Sequence, residues 1–308
     1  MSPALSVLGR AALVALLAFA AAACPSFHPQ RIEGGAADQR FVTVDGVDLR
    51  VLDQGPPDAP VVVLVHGFAS ALDAWYPVTP ALTGRYRVIS MDLKGFGFSA
   101  RPEGDYSPAA HAALVLGLMD QLGVDKAAVV AHSWGSSIAL AMALRAPERV
   151  TRLALYSAWV YEEQLPSFFR WARNDPFGEA LFALYYDERA DERMARAFYD
   201  PTLIDEAFFE VIEKVLALPG TTAAAQAAAR DQDFERLAPL YKQVRQPTLL
   251  LWGREDHVSP LPFAERLVAD LPHADLRVYP RCGHFPMVEA YAASTRDLVT
   301  FLGAEETR

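Results

Sequence analysis

The chain has 308 residues, of which 52% are hydrophobic, 21% charged and 11% aromatic, and its formal net charge is −10. That is enough apolar material for one large domain, or one domain with an insertion, so intrinsic disorder and collagen-like repetition are excluded. An acidic balance with no long Lys/Arg run argues against a nucleic-acid partner, and two cysteines, Cys24 and Cys282, make neither a disulfide framework nor a cysteine-based zinc site.

The N-terminus reads as a targeting segment. Arg10 precedes an uncharged apolar run over residues 11–23 that ends in small residues. The run is short for a membrane span and has no polar face, so a secretory signal peptide over residues 1–23 fits better than a buried Ala-rich helix. Its end, Ala21-Ala22-Ala23-Cys24, resembles the lipobox of bacterial lipoproteins, although that family usually carries Leu where Ala21 stands. The resemblance implies lipidation of Cys24 and a protein exported and lipid-anchored to a bacterial membrane, facing the periplasm or exterior. Ordinary cleavage would instead release a free periplasmic or secreted protein. Residues 24–39, with Pro25, Ser26 and Gly34-Gly35, read as a tether.

From residue 41 strand and helix signals alternate. Residues 41–44 and 47–52 flank Asp45-Gly46, a pair suited to a tight hairpin turn, which predicts an opening antiparallel pair. Continuous apolar runs at 61–65, 87–91, 127–131, 150–156, 248–252 and 276–279 suit strands buried on both faces. Helical stretches are expected at 108–122, 136–145, 260–271 and 288–302. This alternation predicts an α/β fold with an open, mostly parallel central sheet flanked by helices, whose ligands bind at the carboxyl ends of the strands. Residues 159–244 lack buried-strand runs and are rich in helix formers and aromatics, so they are expected to form a helical insertion. The core would then comprise residues 40–158 and 245–308.

Candidate chemistry falls where the expected strands end. Ala131-His132-Ser133-Trp134-Gly135 places a serine between a buried strand and a helix, where a sharp turn would expose its hydroxyl to the helix N-terminus. Taken alone, Ser133 would equally suit a helix cap. With Ala131 in place of the usual Gly, the motif A-H-S-W-G resembles the nucleophile turn of the α/β-hydrolase family. Two later segments match that family in order. Leu249-Leu250-Leu251-Trp252-Gly253-Arg254-Glu255-Asp256 carries an acid after a strand, and Arg281-Cys282-Gly283-His284-Phe285-Pro286 carries a histidine in the loop after the last one.

The resemblance spans residue 41 to the C-terminus, and it implies the α/β-hydrolase fold with a helical cap over 159–244. It implies a catalytic triad of Ser133, Asp256 and His284, although Asp256 would also suit a helix cap and His284 a buried hydrogen-bonding role. Glu255 is the nearest competitor to Asp256. His66-Gly67-Phe68 resembles the family's oxyanion loop, so the backbone N–H groups of Phe68 and Trp134 are the expected oxyanion donors. His66 and His132 are expected to pack, His257 to face solvent or to support Asp256 from behind, and Cys282 to be a small residue in a tight loop. The glycine-rich turn over residues 92–99 is expected to be structural, because its spacing does not suit a phosphate cradle.

A serine nucleophile forms an acyl-enzyme, whereas family members that open epoxides or displace halide use Asp at that place. An acyl-enzyme points to an ester, thioester, lactone or amide; a carboxylic ester, thioester or lactone is the expected small-molecule substrate. The aromatics of the insertion motivate a small to medium apolar acyl group, and no metal or organic cofactor is implied. Two alternatives keep the serine. S-W-G resembles the turn of proline iminopeptidases, which would need cap carboxylates such as Glu162, Glu163 or Glu179 facing a substrate amine, and capped serine members include C–C bond hydrolases. A third reading is an inactive, surface-tethered binding protein, whose mark would be a missing triad member.

Overall fold

The structure, a computed structural model, describes residues 26–32, 40–171, 173 and 195–304. Cys24, Glu179 and the expected signal segment lie outside them, and no helix of the described residues is long and apolar enough to cross a membrane.

Eight strands form one sheet in the order β1-β2-β4-β3-β5-β6-β7-β8. β1 (Arg40–Val44) and β2 (Val47–Gln54) form a hairpin. Asp45 and Gly46 both take positive φ, 47° and 79°, as the tight turn between right-twisted strands requires. β2 also pairs antiparallel with β4 (Arg87–Met91). Every other pairing is parallel, through β3 (Val61–Val65), β5 (Ala127–His132), β6 (Val150–Tyr156), β7 (Thr248–Gly253) and β8 (Ala274–Tyr279).

The apolar runs are continuous because helices cover both faces. Val63, Val65, Val129 and Leu155 point into one core with α1 (Pro108–Gln121) and α2 (Gly135–Arg145). Val62, Leu64, Val130 and Tyr156 point into the other, against Leu298 and Leu302 of a C-terminal helix. Between β6 and β7 the described residues carry only helical segments: α3 (Ser167–Trp171), α4 (Glu206–Leu216), α5 (Thr221–Arg230) and short turns. The alanines of α5 permit a close approach, since a Cβ at Gly95 would lie 2.8 Å from the Ala224 Cβ. Leu261–Asp270 forms α6 and Tyr291–Gly303 forms α7. The last helical stretch is thus broken at Ala290, which separates a short turn over Pro286–Glu289 from α7.

Part of the expected tether is docked. His28 and Arg101 exchange backbone hydrogen bonds of 3.0 and 2.8 Å, Ile32 N–H donates to the Phe98 carbonyl at 3.2 Å, and Phe27 stacks on Tyr106. The apolar side chains of Phe27 and Ile32 give this segment a reason to settle on the body, which its Pro/Ser/Gly content concealed.

Candidate active site

Ser133 directly follows β5 and takes a φ of 52°, a strained conformation for a residue with a Cβ and one that neighbouring contacts must hold. Its N–H donates to the Tyr156 carbonyl at 2.9 Å, and its own carbonyl accepts from Ser136 N–H at 2.9 Å and Trp159 N–H at 3.0 Å. Backbone approach explains the surrounding glycines. A Cβ at Gly135 would sit 2.6 Å from the Val65 carbonyl oxygen and closer still to that of His66, and one at Gly67 would sit 3.1 Å from the Ser133 Cβ. The end of β3, the Gly67-Phe68 loop and the start of α2 therefore converge on the serine. Trp134 lies at the head of α2, where backbone N–H groups lack intrahelical partners. The side chain of Phe68 is half-buried beside it.

Asp256 is buried in the loop after β7 and divides its two oxygens. Oδ1 accepts from the N–H groups of Val258 (2.9 Å) and Ser259 (2.8 Å), while Oδ2 accepts from His284 Nδ1 at 2.9 Å. The turn-capping role and the histidine-binding role thus coexist in one carboxylate. Glu255, the competitor, accepts from Cys282 N–H at 3.1 Å instead and so steadies the histidine loop.

His284 is held from several directions. Its N–H donates to the Ala197 carbonyl at 2.7 Å, and its carbonyl accepts from His132 Nε2 at 2.9 Å. With Nδ1–H committed to Asp256, Nε2 of the neutral ring is the acceptor nitrogen. His132, next to the serine, packs its ring 4.8 Å from that of His284, and burial holds it well below the ordinary histidine range.

Glu289 was not singled out by the sequence. It is a half-buried carboxylate that accepts from Gly283 N–H (3.0 Å), Phe285 N–H (3.4 Å) and Tyr199 N–H (2.7 Å). Burial raises its carboxyl above the ordinary range, against the pull of these backbone donors. Gly283 and Phe285 are its near neighbours in sequence, but Tyr199 comes from the insertion, and only chain folding brings it to this carboxylate.

The remaining expected residues fall as follows. His66 is buried, and burial pushes it down to about 4. Its Nδ1–H donates to the Gly67 carbonyl and its Nε2 accepts from Leu93 N–H, so it packs the loop. His257 is exposed. Cys282 is fully buried, and burial pushes its thiol up. Within the glycine-rich turn, Asp92 accepts from the N–H groups of Leu72 and Phe98 and from Arg50, and Gly97 leaves no room for a Cβ against the Asp92 carboxylate. That turn is structural.

Two groups of rings flank the serine. Phe68 touches Phe96, Trp134, Trp159 and Phe169, with centroids 4.7–6.2 Å apart. His132, His284, Phe285 and Phe198 form the second, in which Phe198 of the insertion stacks on Phe285 at 4.7 Å. Glu162 pairs with Arg173 and Glu163 with Arg266 beside a cavity of about 600 Å³ lined in part by Tyr161 and Asp270, and no member of the expected triad lines it. Among the described residues no cluster of three or more His, Cys, Asp or Glu side chains could hold a metal ion.

Comparison with known proteins agrees with this fold. The chain is 31% identical over 285 residues to the 2-hydroxy-6-oxo-2,4-heptadienoate hydrolase of Pseudomonas putida, covering 87% of this chain and 97% of the relative. It is 32% identical over 253 residues to a 2-hydroxymuconate semialdehyde hydrolase of a Pseudomonas strain, covering 77% and 84%. The solved 2-hydroxy-6-oxo-6-phenylhexa-2,4-dienoate hydrolase of a Rhodococcus strain superposes with a TM-score of 0.73 at 26% identity, over 86% of this chain and 98% of that one. The profile described as alpha/beta hydrolase fold matches residues 60–193 and 212–291. An eight-stranded sheet with a serine on the strained turn after β5, together with that match, places this chain in the α/β-hydrolase family, as a hydrolase.

Proposed function

We propose that this protein hydrolyses carboxylic esters, thioesters or lactones of small to medium apolar acyl groups through an acyl-enzyme on Ser133. The observation that carries the reading is the strained Ser133 turn (φ 52°) together with the 2.9 Å hydrogen bond that fixes His284 on Asp256. His284 Nε2 takes the hydroxyl proton as Ser133 Oγ attacks the carbonyl carbon, and the N–H groups of Phe68 and Trp134 hold the oxyanion. The carbon–oxygen bond then breaks, and the proton passes from His284 to the leaving oxygen. Water attacks the acyl-enzyme next, giving its proton to His284, and the acid leaves as Ser133 is restored. Asp256 fixes the tautomer and stabilises the imidazolium.

The two ring groups divide the substrate. His284 must reach the leaving oxygen, so the leaving group lies towards Phe285 and Phe198, and the acyl group lies against Phe68, Trp159 and Phe169. That wall favours apolar acyl groups.

A second reading, C–C bond hydrolysis of ring-cleavage products, is favoured by the names of the relatives. Such dienoates carry a carboxylate. Among the described residues the buried cations are committed elsewhere: Arg50 to Asp73 and Asp92, Lys94 to the Asp105 carbonyl and the Tyr106 ring, Arg101 to the carbonyls of Gly97 and Ser99, and Arg152 to those of Phe301 and Ala304. This favours the uncharged ester. Turnover of p-nitrophenyl esters of increasing chain length, set beside a ring-cleavage dienoate and proline p-nitroanilide, tests the reading. Ester hydrolysis that disappears in Ser133→Ala is expected, and equal turnover by both proteins overturns it.

We also propose that Cys24 carries the lipid anchor expected of Ala21-Ala22-Ala23-Cys24. Two residues separate it from the docked Phe27, a reach of roughly 10 Å over three steps of the chain, so the anchor would hold this body close to the bilayer. Labelling with a fatty-acid analogue that persists in Cys24→Ser would overturn this.

A further inference from the structure

We propose that the indole N–H of Trp159 is a specificity-determining donor that takes an acceptor oxygen within the acyl part of the substrate. The proposal rests on the acyl-enzyme reading above and narrows its substrate class to acyl groups bearing an ether, keto or hydroxyl oxygen.

Trp159 stands where the sheet presents its ligand-binding end. β6 finishes at Tyr156 beside the nucleophile strand, and Ser157 turns the chain with a φ of 45° while its N–H donates to the Leu251 carbonyl. Two residues later, the Trp159 backbone N–H donates to the Ser133 carbonyl at 3.0 Å, so its main chain is one hydrogen bond from the nucleophile residue. The ring meets Phe68 edge-on at 6.2 Å and Phe169 at 4.9 Å. It therefore belongs to the ring group assigned above to the acyl side.

The residue is 5% exposed, and its Nε1 is buried with no hydrogen-bond partner among the described residues. Two other buried tryptophans are satisfied: Trp134 Nε1 donates to Gln232 at 2.9 Å, and Trp252 Nε1 donates to the Ser259 carbonyl at 2.7 Å. Trp75 Nε1 also lacks a partner, but that ring packs in the core on the opposite face of the sheet. A buried donor left unpaired is costly, and a phenyl ring would fill much of the same wall without that cost. An indole there is accounted for if its N–H is paired by what the wall receives. The partner must be an acceptor, and an oxygen within the acyl chain is the group that a carboxylic ester can bring. A wall that pairs such an oxygen discriminates against the hydrocarbon of the same shape, because that analogue leaves the N–H unpaired in the complex.

The test uses four p-nitrophenyl esters of equal length: hexanoate and the three analogues in which one oxygen replaces the methylene at position 3, 4 or 5. The full-length wild type and Trp159→Phe are compared as a ratio of kcat/KM ratios, which cancels each ester's intrinsic reactivity. For at least one oxygen position, Trp159→Phe is expected to lose about tenfold more kcat/KM than it loses on hexanoate. An equal factor on all four esters assigns Trp159 a packing role and overturns the proposal, as does no effect. If Trp159→Phe does not fold, benzothienylalanine at position 159 replaces the N–H by sulfur in nearly the same shape and is judged by the same ratio. Ser133-dependent hydrolysis without the oxygen effect overturns this proposal alone. A wild type that cleaves none of the four esters overturns the ester reading and this proposal with it.

Discussion

Glu289 accepts a 2.7 Å hydrogen bond from the backbone N–H of Tyr199, and this bond ties the insertion to the loop that carries His284. The same carboxylate takes the N–H of Gly283, and the Ala197 carbonyl takes the N–H of His284 itself. A Cβ at Gly283 would sit 2.5 Å from that Ala197 oxygen, so the two segments run in backbone contact. The position of the histidine therefore depends on the insertion as well as on β8.

Glu289→Gln keeps the shape but turns one of two accepting oxygens into a donor that faces backbone N–H groups. About 1–3 kcal/mol of stability should be lost, with kcat/KM for an ester falling by about tenfold as the histidine loop loosens. Urea unfolding and initial rates on the same preparation check both. Unchanged values in both would remove the clamp from the account.

Asp256→Asn leaves an oxygen for the N–H groups of Val258 and Ser259 but takes away the charge that faces His284. The melting temperature should move little while kcat falls by roughly 10⁴. Glu255→Gln, by contrast, should retain kcat within about tenfold, because its carboxylate binds Cys282 N–H rather than the imidazole. Steady-state kinetics of the two variants separate these roles, and the opposite ranking would reassign the acid.

Two glycines make a paired test of why small residues stand where they do. Gly135→Ala would drive a Cβ into the carbonyl oxygens of Val65 and His66, both backbone atoms, and should cost at least about 2 kcal/mol and most of the activity. Gly46→Ala meets nothing within 4 Å and faces only its φ of 79°, so about 1 kcal/mol with full activity is expected. Denaturation midpoints and ester rates distinguish the two.

The buried imidazoles of His66, His111 and His132 make stability depend on pH. Burial holds both His66 and His111 at about 4 in the folded chain, below the ordinary histidine value of 6.5. Between those values the unfolded chain binds more protons than the folded one, so stability is full above about pH 6.5 and falls as pH drops towards 4. Each of these two rings should contribute on the order of 3 kcal/mol to that loss. Urea unfolding at pH 7 and pH 4.5 measures it, and His66→Gln should flatten the slope by about one proton. A flat profile in the wild type would contradict the buried neutral rings.

Local signals were enough for much of the fold and part of the site. Asp45-Gly46 announces two left-handed residues, and Val61–Val65 is continuously apolar because cores lie on both of its faces. The expected Ser133, Asp256 and His284 each sit at a strand end, where chemistry stands out against apolar neighbours. β8 was less legible. It starts at Ala274 rather than 276 and alternates half-buried with exposed residues, as an edge strand with one wet face does. Partners that only folding unites left no local trace, among them Glu289 with Tyr199 and His132 with the His284 carbonyl. The docking of His28 on Arg101 was hidden for the same reason.

The central claim is that Ser133 is an activated nucleophile, and labelling of the folded protein by a fluorophosphonate tests it most directly. One adduct per chain is expected, mapped by peptide mass spectrometry to Ser133, lost in Ser133→Ala and strongly slowed in Asp256→Asn. Folded protein that stays unlabelled, or that carries the adduct on another residue, would contradict it.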